Sequence, residues 1–241
     1  MSLRDSVIGF LREGAVLRQI PTQAILQRQV KTERVTSLPT TNLAEGDQRF
    51  WAVGGDLILA RRTSSAWEYV GQSPVVTSLP TGVPDGFQVI YTADDTNGVE
   101  WQLRYDAGTA AWRFIGGAPL HAEVTTEQTT ASTSYAALTT AGPSIAVPLA
   151  GTYVIETGCR GHVDTNAGFC GMSYDIGGTA ASDNDWVVAN EPAGSNTSPK
   201  TQMRRRRKTF TAVTLTAKYR TSAGTAAFSN RWMSLTPVTV S

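Results

Sequence analysis

The densest charge in the chain is the segment MRRRRKTF at 203–210. If this segment is an extended strand, Arg204 and Arg206 point to one face while Arg205 and Arg207 point to the other. Cations on two faces suit an interface between three copies of the chain, or a site for a phosphate or sugar acid. The same run is also typical of a solvated loop that leads into a strand. Few aromatic residues accompany it and the net charge of the chain is only +1, so no nucleic-acid partner is expected.

A second candidate is the polar, turn-rich segment TAASDNDWVVANEPAGSNTS at 179–198. It combines a tryptophan with carboxylate, amide and hydroxyl groups, and this mixture is used by sugar-binding sites. The segment is therefore either a receptor-facing loop or an ordinary long connection between strands. Its acidic residues lack the spacing of a calcium loop, so neither a metal nor another cofactor is expected. The candidate receptor-facing residues are Asp183, Asn184, Asp185, Trp186 and Asn190.

The two cysteines are the third candidate site. They lie in TYVIETGCRGH and FCGMSYDI, two segments whose alternation of side chains predicts strands. If these strands form a hairpin that turns near Asp164 and Thr165, Cys159 lies directly opposite Cys170 on the apolar face. The pair would then be a disulfide, provided that its geometry is suitable, or two buried thiols, which a reducing cytosol favours.

Catalytic signatures are missing from the sequence. It contains no G-x-S-x-G, P-loop or H-E-x-x-H motif. Its two histidines, His121 and His162, are far apart in the sequence, so we expect no metal site from them. The chain is therefore expected not to be an enzyme, and a glycan-active enzyme is kept as a minor alternative.

The composition indicates which elements position these groups. Charged residues make up 17% of the chain, below the usual quarter or so, and abundant Thr, Val and Gly favour strands and turns. Residues 120–241 show no helical period and contain seven or eight strand-like segments, as expected for a jelly-roll-like β-sandwich head. No run of about 18 apolar residues is present, so no membrane insertion is expected. The N-terminal apolar stretch carries charges, so no secretory signal is expected and the chain should assemble in a cytoplasm.

A repeat precedes this head. The phrase VTSLPT occurs at 35–40 and again at 76–81, and each copy closes on Trp, a charged residue, an aromatic residue, an apolar residue and Gly. We predict a β-meander of three or four strands in each copy, with boundaries at 35–74 and 75–119. Units of about 40 residues bury too little surface to be stable alone, so they are expected to stack or oligomerise.

The phrase itself should be extended. The residue before proline avoids the helical region, and proline cannot donate to a sheet. The phrase should therefore enter each module as a short edge strand or linker. We expect Leu38 and Leu79 to be buried against the closing aromatic residues of their own copies.

Residues 1–34 differ from the rest of the chain. Their apolar residues follow a helical spacing on both sides of Pro21, and six basic residues outnumber three acidic ones. A short amphipathic arm without a core of its own needs a partner. We interpret this segment as a helical anchoring arm that docks on a larger assembly, or as a partly disordered tail.

The repeated segment VTSLPTGVPDGFQVIYTADDTNGVEWQLRYDAG, followed by AWRFIGGAPL, resembles a module of structural proteins in tailed bacteriophages. The C-terminal part, from TSYAALTTAGPSIAVPLAGTYVIETG to RRRRKTFTAVTLTAKYRTSAGTAAFSNRWMSLTPVTV, is similar to the jelly-roll heads of phage fibre and spike proteins. The resemblance covers about 35–241, whereas the arm matches no family.

This resemblance implies a homotrimeric structural protein of a virion that is assembled in the bacterial cytoplasm. The arm would dock on other virion proteins, the modules would form a stalk, and the head would be displayed for attachment to a host-surface glycan or protein. Two roles remain open: a short tail or neck fibre that binds the host, and a capsid (head) fibre or decoration protein without a receptor role. A glycan-degrading spike would need a long β-helix, and no such repeat is present.

Overall fold

The computed structural model of the chain describes residues 33–35, 38–39, 44–45, 47–53, 56–64, 67–70, 73–165, 168–190 and 199–241. These residues form strands and turns, with one short 3-10 helix and no α-helix among them. The prediction of a mainly β fold is confirmed. The predicted helical arm, 1–34, lies outside the described residues except for its last two, which belong to a strand instead. The chain divides into two compact units, 1–72 and 73–241.

The described part of the first unit is a four-stranded sheet that contains the first copy of the repeat. Its strands, in order across the sheet, are β1 (Glu33–Val35), β2 (Gln48–Val53), β3 (Asp56–Arg62) and β4 (Trp67–Val70). β1 runs parallel to β2, while β2, β3 and β4 form an antiparallel meander.

The second copy opens the second unit and has the same arrangement. Its strands are β5 (Val75–Val76), β6 (Gln88–Asp94), β7 (Val99–Asp106) and β8 (Ala111–Gly117). β5 again runs parallel to β6, and the rest is an antiparallel meander. The register also agrees, because Val35 lies opposite Trp51 in the first copy and Val76 lies opposite Tyr91 in the second. The repeated phrase therefore marks a repeated fold, and it begins on the last residue of a short edge strand.

The phrase differs from the prediction in one respect. Leu38 and Leu79 are only partly buried, so the expectation that they are buried against the closing aromatic residues is wrong. In the first copy, the indole N–H of Trp67 instead donates to the carbonyl of Pro39 at 2.9 Å. In the second copy, other aromatic rings pack on the closing tryptophan. The rings that pack on Trp112 there are Phe87, at 6.3 Å between centroids, and Tyr105, at 5.4 Å.

The remainder of the second unit is a two-sheet sandwich. Its strands are β9 (Leu120–Val124), β10 (Gln128–Thr130), β11 (Ser144–Ala146), β12 (Gly151–Val163), β13 (Phe169–Ile176), β14 (Val187–Asn190), β15 (Lys200–Phe210), β16 (Thr214–Thr221) and β17 (Ala226–Val240). One sheet has the order β15-β12-β17, with β9 and β10 along the far side of β17, and the other has the order β11-β16-β13-β14. If β9 and β10 are counted as the first of eight strands, these orders are 1-8-3-6 and 2-7-4-5. This topology is a jelly roll of two Greek keys.

The second module and the head share one sheet. β8 pairs with the end of β17, where Arg113 lies opposite Thr239 and Trp112 opposite Val240. Nine strands are joined in this way. The sequence placed a boundary between 75–119 and 120–241, whereas the structure gathers 73–241 into one compact unit.

The sandwich core lies between the two sheets of the head. The odd-numbered residues of β12 from Tyr153 to Cys159 face it, as do the even-numbered residues of β13 and alternate residues of β16. These inward faces agree with the alternation read from the sequence.

Candidate functional site

The basic run forms most of β15, which lies at the edge of its sheet. Its residues alternate between the two faces as the sequence predicted. Arg204 and Arg206 lie opposite Thr157 and Ile155, whose side chains face the core, while Arg205 lies opposite Glu156 on the outer face. The strand period of two residues therefore divides the run into an inner and an outer set of cations.

The inner cations bind the loop that carries the other candidate site. Nη1 of Arg204 donates to the carbonyl of Trp186 at 3.0 Å. Nε and Nη2 of Arg206 donate to the carbonyl of Asn184 at 3.1 and 2.6 Å. Two sites that are separate in the sequence are thus one cluster in the fold.

An ion pair completes this side of the cluster. Nζ of Lys208 lies 2.5 Å from Oδ2 of Asp185, a carboxylate that is only 7% exposed. Behind them, burial raises the pKa of Tyr174, and the charge of Asp185 raises it further, so this phenol stays neutral. The ion pair therefore lies at the edge of the sandwich, where contacts between apolar side chains would be usual.

The opposite side of the loop is held by an arginine among aromatic rings. The guanidinium of Arg220 lies 4.9 Å from the ring centroid of Trp186, 5.2 Å from that of Tyr135 and 5.4 Å from that of Phe169. Such cation–π contacts contribute about 0.5–2 kcal/mol each, depending on how far they are desolvated. The loop is therefore fixed by rings as well as by ions.

Asp183 completes this second group. It accepts from Nη2 of Arg220 at 2.7 Å and from the hydroxyl of Tyr135 at 2.8 Å. Burial raises the pKa of Tyr135, and the bond to Asp183 raises it further, so the phenol remains a donor. Neither Tyr135 nor Arg220 was identified as a site residue from the sequence, since each lies far along the chain from the loop.

The candidate receptor-facing residues consequently differ in availability. Asp185 is buried and Trp186 is partly buried, whereas Asp183 and Asn184 are exposed. Asp183 is nevertheless bonded to Arg220. Asn190 ends β14 and lies opposite Phe169. Their assignment to a receptor stays a prediction.

The outer face of the β12 sheet is a surface that sequence reasoning missed. Across its four strands, one row contains Glu123, Trp232, Gly158 and Met203. The indole of Trp232 lies over Gly158, where a Cβ atom would be 2.5 Å from its Cε2. Met203 is 61% exposed. A glycine inside a long strand is the signal that could have found this close approach.

Charges flank this apolar row. His121 stacks on Trp232 at 6.3 Å between ring centroids, and its strand β9 also carries Glu123. On β15, Arg205 makes a long ion pair with Glu156 at 3.6 Å, and no ion pair is seen for Arg207 within the described part of the chain. The face therefore has an acidic end at β9 and a basic end at β15. We call it the outer face below.

The outer side of the second sheet, β11-β16-β13-β14, is covered by the chain itself, whereas the outer face of the first sheet is open. Ser173, on the outer side of β13, is completely buried and its hydroxyl donates to the carbonyl of Ser182 at 2.9 Å. Gly171 lies under the ring of Trp186, where a Cβ atom would be 2.7 Å from Cε3. The 179–186 segment thus forms a lid over that sheet.

The cysteines do not form the predicted cross-strand pair. β12 is flanked by β15 and β17, while β13 belongs to the other sheet, so the predicted hairpin register is wrong. The chain crosses between the sheets at this turn instead of folding back within one. Cys159 and Cys170 are both buried, and no disulfide joins them. Burial raises the pKa of Cys159 to about 12.

A cleft of about 380 Å³ lies between the turn of the second module and the head. Asp94 and Asn97 stand on the module side, and His121 and Ser144 stand on the head side. Asn97 holds the pKa of Asp94 below its usual value by donating from its side-chain amide at 2.7 Å and its backbone N–H at 3.1 Å. No sequence signal links these residues, because they are brought together only by the joined sheet.

The described residues also bear on metal binding and on membrane insertion. Among the residues that the structure describes, no three His, Cys, Asp or Glu side chains converge to hold a metal ion. The part of the chain with coordinates contains no helix long and apolar enough to span a membrane.

No protein-family model and no curated protein sequence matches this chain. Among solved structures, the Eiger TNF of S. frugiperda has a TM-score of 0.37 and 9% identity, over 52% of this chain and 95% of that one. A chain in the structure of infectious bursal disease virus, Gt strain, has a TM-score of 0.34 and 8% identity, over 86% of this chain and 49% of the viral chain. A carbohydrate-binding module of Cellvibrio mixtus lichenase 5A has a TM-score of 0.22 and 14% identity, over 64% of this chain and 90% of the module. Scores this low carry no argument about the function of this chain.

Proposed function

We propose that the chain is a structural component of a tailed-phage virion, a trimeric short fibre or spike. Its N-terminal arm docks on other virion proteins, and its β-head is displayed for attachment to a host surface. The observation that carries the proposal is the sheet shared by the second module and the head through β8 and β17. A spacer built into the sheet of a head holds that head in a fixed orientation, as a display protein requires. The sequence resemblance supports the same reading.

The outer face supports the trimeric state. It presents a half-buried tryptophan and an exposed methionine in its central row, and aromatic residues, Met and Arg are enriched at interface cores. Its acidic and basic ends lie on opposite sides of four strands, a width of about 15 Å. In a ring of copies arranged head to tail, the β15 side of one copy would meet the β9 side of the next. Arg205 and Arg207 are the cations placed for that contact.

Two observations bear on whether the head binds a receptor. The cleft beside His121 has a volume within the range of ligand sites, and it mixes polar with apolar lining. This favours attachment. The internal bonds of Asp183, Asp185 and Trp186 engage three of the five candidate receptor-facing residues and favour the second candidate, a capsid fibre or decoration protein without a receptor role.

Particle incorporation tests the proposal. The full chain and a variant that lacks residues 1–34 would each be supplied during infection, and purified particles would be probed with an antibody to the head. We expect the full chain on particles and the variant folded but absent from them. Absence of the full chain from particles would contradict the virion role. Incorporation of the deleted variant would show instead that the arm is not the anchor.

A further inference from the structure

An irregular pair of strands places a charged side chain in the head core. Gly158 lies opposite Trp232 and Arg160 lies opposite Ser229, so Cys159 faces two residues of β17, Asn230 and Arg231. This is a β-bulge, and Asn230 has the left-handed φ of +45° that such a bulge uses. The extra residue leaves Asn230 exposed and turns Arg231 inward, where it is 0% exposed.

The guanidinium of Arg231 is only partly bonded. Nη2 donates to the carbonyl of Thr126 at 2.9 Å. Nε and Nη1 make no hydrogen bond of ordinary geometry with the described residues, and neither does the hydroxyl of Tyr219, which is also 0% exposed. This hydroxyl nevertheless lies near enough to the guanidinium for Arg231 to lower the pKa of Tyr219 against the larger effect of burial. The guanidinium carbon lies 5.4 Å from the ring centroid of Tyr219, so the two side chains belong to one buried cluster.

No described group supplies the negative charge that this cation needs. The part of the chain with coordinates shows no carboxylate paired with Arg231. Burial raises the pKa of Cys159 to about 12, and burial also raises that of Tyr219, so both groups are neutral at ordinary pH. Arginine itself cannot lose its proton in a protein. The ring of Tyr219 offsets part of the charge but leaves the N–H groups unbonded.

The hydroxyl of Tyr219 packs closely against a glycine. A Cβ atom at Gly142 would lie 2.3 Å from this oxygen and 3.0 Å from Cβ of Ala217. Only small residues therefore line this side of the cluster. Any compensating group has to be small, because Arg231 and Tyr219 are both completely buried.

We propose that Arg231 and Tyr219 form a buried site for one small inorganic anion of the halide type. Nε and Nη1 of Arg231 and the hydroxyl of Tyr219 are neighbouring donors that make no hydrogen bond of ordinary geometry, and together they suit a spherical anion that accepts from several directions. The anion neutralises the guanidinium that the bulge at Asn230 turns inward. This inference is independent of the virion role.

Thermal unfolding of the full chain tests the site. The protein would be heated in sodium bromide and in sodium gluconate, whose anion is too large to enter, at equal ionic strength. We expect the Tm to rise in bromide by about 3–6 °C for each tenfold increase above the dissociation constant, because only the folded state binds the ion. Equal Tm values in the two salts would overturn the proposal.

Two variants locate the effect. Arg231→Met should remove the bromide dependence, whereas Arg104→Met, a matched change at an exposed arginine, should retain it. Bromide dependence that persists in a folded Arg231→Met protein would also overturn the proposal.

Anomalous diffraction from wild-type crystals grown in bromide gives an answer even if Arg231→Met does not fold. A bromide peak within hydrogen-bond distance of Nε or Nη1 of Arg231 is expected. Peaks at surface arginines alone, an adventitious ion only, would contradict the site. A carboxylate found beside Arg231 in the crystal would do the same.

Discussion

Replacement of Gly158 by alanine should separate folding from assembly. In the structure, a Cβ atom at this position would lie 2.5–2.7 Å from three atoms of the Trp232 indole. Ordinary contacts begin at 3.4 Å, so the ring must move outward by about 1 Å. Trp232 is half-exposed and has solvent on its outer side, so it can make this movement without disturbing the core.

The expected cost to folding is small. Alanine in a strand gains about 0.5–1 kcal/mol over glycine through the unfolded chain, which offsets much of the displacement of the ring. We therefore expect the free energy of unfolding of one copy to change by less than about 1 kcal/mol. Urea unfolding at a concentration below assembly measures it.

The expected cost to assembly is larger. If the outer face is the contact between copies, the displaced tryptophan is its anchor, and loss of an interface tryptophan costs about 2 kcal/mol or more. This corresponds to roughly a 30-fold weaker association at each contact. Sedimentation over a range of concentrations should show Gly158→Ala dissociating where the wild type does not.

A matched control is Gly108→Ala, because Gly108 is exposed in the turn after β7 and its Cβ atom would meet only the flexible carboxylate of Asp106. It should leave assembly unchanged. An unchanged association constant for Gly158→Ala, with wild type and control both assembled, would refute the reasoning that places the contact on this face.

Four further predictions concern the trimer, an ion pair, the burial of two leucines and a buried thiol. Sedimentation of the wild type should give about three times 25.8 kDa, and a monomer at micromolar concentration would contradict the trimer. Lys208→Met should lower the free energy of unfolding by about 1–3 kcal/mol in urea, because Asp185 stays buried without its partner; a loss below about 0.5 kcal/mol would show that the pair is not coupled. Leu79→Ala should cost about 1 kcal/mol and Leu103→Ala, at a fully buried position, about 2–5 kcal/mol; equal losses would contradict the burial difference. Stability should decline above pH 9.0, because unfolded Cys159 ionises near 9.0 and the folded thiol only near 12. Cys159→Ala should decline less steeply over that range in chemical unfolding, and an identical pH profile would contradict the raised pKa.

The inward faces of the strands could be predicted because alternation is a local property. Tyr153, Ile155 and Cys159 face the core as their spacing of two indicated, and so do Met172 and Tyr174. The same reasoning gave the repeat, since two copies of one phrase enter the same parallel strand pair.

The pairing of strands could not be predicted in the same way. β12 and β13 follow each other along the chain, which made a hairpin the natural expectation, yet the jelly roll places them in different sheets. Consecutive strands are neighbours only about two-thirds of the time. For this reason Cys159 and Cys170 were matched in the wrong register.

The candidate site depends on contacts that are remote in sequence. Arg204 and Arg206 contact the loop near Asn184 because β14 and β15 are the edge strands of the two sheets and lie on the same side of the sandwich. The bulge that buries Arg231 depends on one positive φ at Asn230. No local pattern in the sequence announces either feature.

The most direct test of the proposed role in the virion is to locate the chain on the particle. Purified phage particles would be labelled with gold-conjugated antibody to the head, 120–241, and viewed by electron microscopy. We expect gold at fixed, repeated positions on each particle, at the tail or neck for a fibre that attaches to the host and over the capsid for a head fibre or decoration protein. Intact particles without gold, together with the chain recovered only in the soluble fraction of the lysate, would contradict a structural role in the virion.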